Sequence, residues 1–113
     1  MAGKLGIFVT TDKHWNHLLN IAKAAVAKGK ELIIFFTHRG TYLCKRDDFS
    51  ELAKVVEGHG KMSLCLVSLK AHKLGDENTP IPGIDKKDFG TQARHAEMLE
   101  ELKFEEGDRY LVL

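Results

Sequence analysis

The chain has 113 residues, a length that suits one domain and a core needing no covalent staples. Its 17 Lys and Arg against 16 Asp and Glu give a net charge of +1, which excludes the basic excess of a nucleic-acid binder and the acidic excess of a solvating tail. A hydrophobic share of 43% with 29% charged residues excludes whole-chain disorder.

Lys4 to Thr10 is a short apolar run of strand formers, after which Thr11 and Asp12 offer helix N-cap chemistry. From Trp15 the pattern turns helical, with Trp15, Leu18, Leu19, Ala22, Ala25 and Val26 on one stripe and Gly29 where a left-handed C-terminal cap belongs. Glu31 to Thr37 is almost continuously apolar, the signature of a strand covered on both faces in a parallel sheet. His38 to Arg46 reads as a loop or helix lead-in. Asp47 or Asp48 then caps a helix that turns Phe49, Leu52, Ala53 and Val56 inward, and Gly58-His59-Gly60 ends it. Lys61 to Ser68 is a third strand, and Leu69 to Leu74 forms one or two helical turns closed by Gly75. Asp76 to Asp85 holds both prolines and is expected to be a mobile loop. Lys86 to Lys103 reads as a helix with Phe89, Ala93, Ala96, Leu99 and Leu102 inward, weakened by Gly90 in its first turn. Asp108 to Leu113 is a last strand. A short fifth strand near Pro80 to Ile84 would be confined to an edge by its prolines.

Strands alternating with helices over residues 1–113 imply a single α/β domain: a mostly parallel sheet of four or five strands with helices on both faces. The start, Met1 to Ile7, has no charged region ahead of a long apolar run and no cleavage site, so it reads as a strand rather than a signal peptide. No apolar run approaches the roughly 20 residues of a membrane span. A cytoplasmic, soluble protein with reduced thiols is the expectation, without membrane or nucleic-acid partners.

In such a sheet the ligand crevice lies beyond the C-terminal strand ends. Those ends are Thr10 to Asp12, Thr37 to Cys44 and Cys65 to Ser68. Cys65 is either a buried small hydrophobe or a nucleophilic thiol, with Lys70, His72 and Lys73 as nearby positive charge. Cys44 precedes Lys45 and Arg46, two cations that would lower the pKa of a solvated thiol and make it reactive. The separation of 21 positions between the cysteines is no metal or redox motif, although a pairing of the two is geometrically conceivable. His14 and His17, three apart on one helix, have no third ligand at a convincing spacing, so no metal is expected. No glycine-rich phosphate loop follows the first strand, and no nucleophile elbow is present.

Three stretches carry a family likeness. Ile34-Phe35-Phe36-Thr37 followed by His38-Arg39-Gly40-Thr41-Tyr42 is similar to a strand ending in paired aromatics before a Gly-x-Tyr turn. His59-Gly60-Lys61-Met62-Ser63-Leu64-Cys65 is similar to the approach to a sulfur-carrying cysteine. Gly107 to Leu113 closes the match. From Lys4 to Leu113 the chain resembles the DsrE/DsrF-like family of small sulfur-relay proteins, which includes the TusD type. The resemblance implies a three-layer α/β/α sandwich, assembly into homo-trimers or hexamers, and a persulfide carried on Cys65 between a donor and an acceptor protein. It implies no metal or organic cofactor. His38, Lys70 and His72, at the functional edge or beside Cys65, are the candidate supporting residues. The chain departs from the TusD type after the cysteine. Leu66 and Leu69 stand where that type has small residues, Lys70 and Lys73 where it has paired arginines, and Cys44 is outside its pattern. Two readings compete with a sulfur carrier: a binding or scaffold subunit with inert cysteines, and a thiol redox sensor using Cys44 and Cys65. On the first helix, Ile21 and Ala24 lie off the core stripe beside His14 and His17, a second face suited to another subunit.

Overall fold

The computed structural model describes residues 3–103 and 107–113; Met1 and Ala2, part of the stretch read above as the start of a strand, lie outside the described residues. The chain is an α/β protein with one five-stranded, all-parallel sheet in the order β4-β3-β2-β1-β5. Strand β1 (Lys4–Val9) leads through α1 (Trp15–Ala27) to β2 (Glu31–Phe36). A 3-10 segment (His38–Lys45) and α2 (Phe49–Val56) lead to β3 (Gly60–Cys65). Helix α3 (Leu66–Ala71) starts without a loop. Then come β4 (Phe89–Gly90), α4 (Ala93–Leu102) and β5 (Arg109–Val112). Among the described residues no helix is long and apolar enough to cross a membrane.

The path from β1 to β4 steps along the sheet in one direction, whereas the link from β4 to β5 returns across three strands. Right-handed crossovers running in opposite directions put their helices on opposite faces. The packing agrees. Alternate residues of the strands, Ile7, Val9, Ile34, Phe36, Met62 and Leu64, pack with α1, α2 and Leu69 of α3. The intervening Ile33, Phe35 and Cys65 pack with Met98 and Leu102 of α4. Gly6 of β1 permits that approach, since a Cβ there would stand 2.8 Å from Leu102 Cδ1.

Several local expectations change. Residues 66–68 extend no strand. They open α3, because Leu66 and Leu69, three apart, both reach the core on the α1 side. The fifth strand is Phe89–Gly90, beside Leu64–Cys65, and residues 80–84 contribute only an isolated Ile81–Ile84 bridge. Helix α4 begins at Ala93 rather than Lys86. Phe89 packs on the α1 side and Met98 and Leu102 on the other, so they cannot share a stripe; Ala93 and Ala96 are exposed. The segment 76–85, expected to be mobile, is tied down by buried Ile81 and Ile84 and by an Asp76–Thr79 turn. Asp12 caps nothing: His14 is the α1 N-cap, and the Asp12 carboxylate pairs with Arg39 at 3.2 Å. Gly29, at φ +76°, does close α1, its N–H donating to the Val26 carbonyl.

Candidate functional site

Adjacent strands whose exits lead to opposite faces open a crevice at their C-terminal ends. Here that switch falls between β3, which exits into α3, and β4, which exits into α4. Cys65 is the last residue of β3 and the N-cap of α3, and it pairs with Gly90, the last residue of β4. The strand pleat sends its side chain to the α4 face beside Phe35 and Ile33, where it is 2% exposed.

Polar groups from three further elements converge there. Gln92, the N-cap of α4, reaches inward: its Nε2 donates to the Thr37 hydroxyl and lies 3.7 Å from Cys65 Sγ. Thr37, fully buried at the end of β2, shares a hydrogen bond of 3.3 Å with the Ser68 hydroxyl of α3. Ser68 also accepts the His38 N–H at 2.9 Å, and Thr41 donates to the His38 carbonyl at 2.8 Å. His38 therefore sits in the left-handed region at φ +49°, held there from both sides of its backbone. Gly40 lets this turn press on β1, since a Cβ there would meet the Val9 carbonyl oxygen at 2.3 Å.

Cys44 is placed differently. It lies in the 3-10 segment, 2% exposed, in the apolar core on the α1 side. Burial pushes its thiol far above the usual cysteine range, so the expected solvent-reactive Cys44 is overturned. Lys45 is exposed, and Arg46 pairs with Asp48 at 2.7 Å and covers the Trp15 ring. Both cysteines are free, and they lie in clusters on opposite faces of the sheet, which removes the conceivable pairing with Cys65.

Of the expected supporting residues, His38 contributes its backbone to the Ser68 contact while its side chain is exposed. Lys70 is paired with Glu77 at 3.1 Å. His72, at the far end of α3, packs against Tyr42 at 5.1 Å, and Arg39 covers the same tyrosine. Neither Lys70 nor His72 joins the polar group around Cys65. Among the described residues no three His, Cys, Asp or Glu converge to hold a metal; His14 and His17 are exposed, their rings 5.8 Å apart.

Sequence reasoning missed Gln92. Its signal was available: Gly90 breaks the helical pattern, and Thr91 after it offers a hydroxyl to the start of a helix, accepting the Ala93 N–H at 3.2 Å. Reading a helix through Gly90 hid it. Also unforeseen was the neighbouring stack on the α4 face. His95 lies flat on Phe8, with 3.8 Å between ring centroids, and its Nε2 is hydrogen-bonded to the Tyr110 hydroxyl of β5. Burial raises the Tyr110 pKa.

Compared with family models, with curated proteins and with solved structures, the chain matches none.

Proposed function

We propose that this protein is a small sulfur-relay carrier of the DsrE/DsrF-like kind, holding persulfide sulfur on Cys65. The observation that carries the reading is the coincidence at one point of the sheet's switch, a thiol ending β3, and the Gln92 amide with the Thr37 and Ser68 hydroxyls beside it. The chemistry follows thiol–disulfide exchange. The Cys65 thiolate attacks the outer sulfur of a donor persulfide, a new S–S bond forms, and the donor's own S–S bond breaks. The donor leaves as a thiolate and takes up a proton. In the return step an acceptor thiolate attacks the outer sulfur on Cys65, and Cys65 becomes the leaving thiolate. No net oxidation occurs, and neither step uses a metal or an organic cofactor. Donor and acceptor proteins in a reducing, cytoplasmic setting complete the scheme, with the carrier a homo-oligomeric trimer or hexamer. The α1 face expected to serve that assembly is reduced, since Ile21 packs against the core of its own chain and only Ala24 is exposed.

The test is mass spectrometry after incubation with a persulfide donor. A gain of one sulfur atom is expected in the native protein and in Cys44→Ser, and none in Cys65→Ser. A gain that survives Cys65→Ser overturns the reading. Light scattering at micromolar concentration tests the assembly, and a mass near 12.7 kDa overturns it.

One observation favours the scaffold reading: both thiols are only 2% exposed. Under it neither cysteine loads sulfur. The sensor reading loses its support, because the sheet separates the two thiols.

A further inference from the structure

A thiol that is 2% exposed exchanges with nothing until something moves. The residue across its outlet is Gln92, and the helix that carries it is unevenly anchored. The buried residues of α4 are Met98 and Leu102, both in its second half. Its first half, from Ala93 to Glu97, is exposed or half-buried throughout. A small groove of about 80 Å³, with the Lys61–Glu101 ion pair at its rim, runs beside the helix. Arg94 ties this amino end to the preceding segment, donating to the Lys87 carbonyl at 2.9 Å and pairing with Asp88 at 3.3 Å, and two side chains one turn apart hold it to the sheet. Gln92 reaches Thr37 and Cys65 at the β2 and β3 ends, and His95 reaches Phe8 of β1 and Tyr110 of β5.

The contacts differ in kind. His95 rests on an aromatic ring and accepts or donates one hydrogen bond beside it, so it stays seated while the residue ahead of it moves. The backbone of Gln92 is fixed too, its carbonyl accepting the His95 N–H at 3.0 Å, but the residue is exposed, and water offers its side-chain amide the same hydrogen bonds once that side chain swings away from Thr37. Local opening of this sort draws on the least-anchored segments of a fold.

We propose that the Gln92 side chain is the latch of Cys65: its amide, bonded to Thr37, lies against the buried thiol, and a reagent reaches Cys65 only when that bond opens and the side chain swings away. Gln92 is thus a positioning residue that acts on access to the sulfur. The inference rests on Cys65 being the thiol that the proposed function uses. Its test does not, because alkylation reads the latch and sulfur loading reads the function.

The experiment is alkylation of the full-length native protein by iodoacetamide, followed at Cys65 and Cys44 separately by peptide mass mapping. Loss of a single hydrogen-bonded latch in Gln92→Ala is expected to speed modification of Cys65 roughly three- to tenfold and leave Cys44 unmodified. Thr37→Val, which removes the other end of the bond, gives the same acceleration, and Thr37→Ser, which keeps the hydroxyl, restores the native rate. Gln92→Glu places a carboxylate beside the sulfur and moves the pH profile of Cys65 alkylation upward, because a neighbouring negative charge disfavours the thiolate; a merely structural contact would leave that profile in place. An unchanged Cys65 rate in Gln92→Ala overturns the latch, as does a parallel rise at Cys44, which would mean general loosening. Cys65 that alkylates as expected and yet takes up no persulfide sulfur leaves the latch standing and sinks the carrier.

Discussion

The two faces of the sheet hold one cysteine each, both 2% exposed, and they treat them oppositely. On the α1 side, two amphipathic helices and the 3-10 segment press a continuous apolar core onto three strands, and Cys44 is one more small hydrophobe in it. On the α4 side a single helix covers a thin cluster, and Cys65 stands at its rim next to an amide and two hydroxyls. Burial alone therefore does not distinguish the two thiols. What surrounds the sulfur, and how firmly the covering element is seated, does.

The largest effect that would sharpen this contrast comes from truncating matched aromatics on the two faces. Phe36→Ala opens a cavity in the dense core and is expected to cost about 3–5 kcal/mol of stability. Phe8, half-buried on the α4 side, should lose about half as much or less on the same truncation. Urea unfolding of both variants measures the difference, and equal losses would break the comparison.

Next are the cysteines themselves. Cys44→Ser leaves a hydroxyl in an apolar site and is expected to cost about 1–3 kcal/mol without altering sulfur loading. Cys65→Ser should cost less, since Gln92 can donate to the new hydroxyl, while abolishing loading. Unfolding midpoints and mass spectrometry on the same samples separate stability from function. Native Cys44 is also expected to resist alkylation up to pH 9, because burial disfavours its thiolate far more than one backbone hydrogen bond favours it; ready modification below that pH would break the assignment of this face as inert.

Tyr110→Phe removes the hydroxyl that His95 meets but keeps the ring, and is expected to cost about 1 kcal/mol in thermal or urea unfolding. The smallest effect belongs to Asp12, on the rim. Arg39 holds its carboxyl below the usual range. A lowered folded-state pKa means that the pair's stability is present above the ordinary carboxylate pKa and fades as pH falls through the lowered one. In Asp12→Asn that acid-side loss should flatten slightly below about pH 4, by well under 1 kcal/mol for so exposed a pair.

By itself the sequence determined the class of fold, the first three strands, the first two helices and the position of Cys65 at a strand's carboxyl end. These are local matters: the 3.6-residue stripe from Trp15 to Ala25, the unbroken apolar run of β2, and Gly29 after a helix are each written within a few neighbouring residues. Tertiary structure alone decided which side of the sheet each cysteine faces, because periodicity says that a residue is buried but not against what. It decided that Phe89 belongs to a two-residue edge strand, since only the pairing with Leu64 and Cys65 overrides the helical pattern around it. It also brought Gln92 to a sulfur 27 positions away, and Thr37 to an amide 55 positions away. Such contacts depend on the direction in which the β4–β5 crossover returns across the sheet, a property of strand order that no short stretch of sequence encodes.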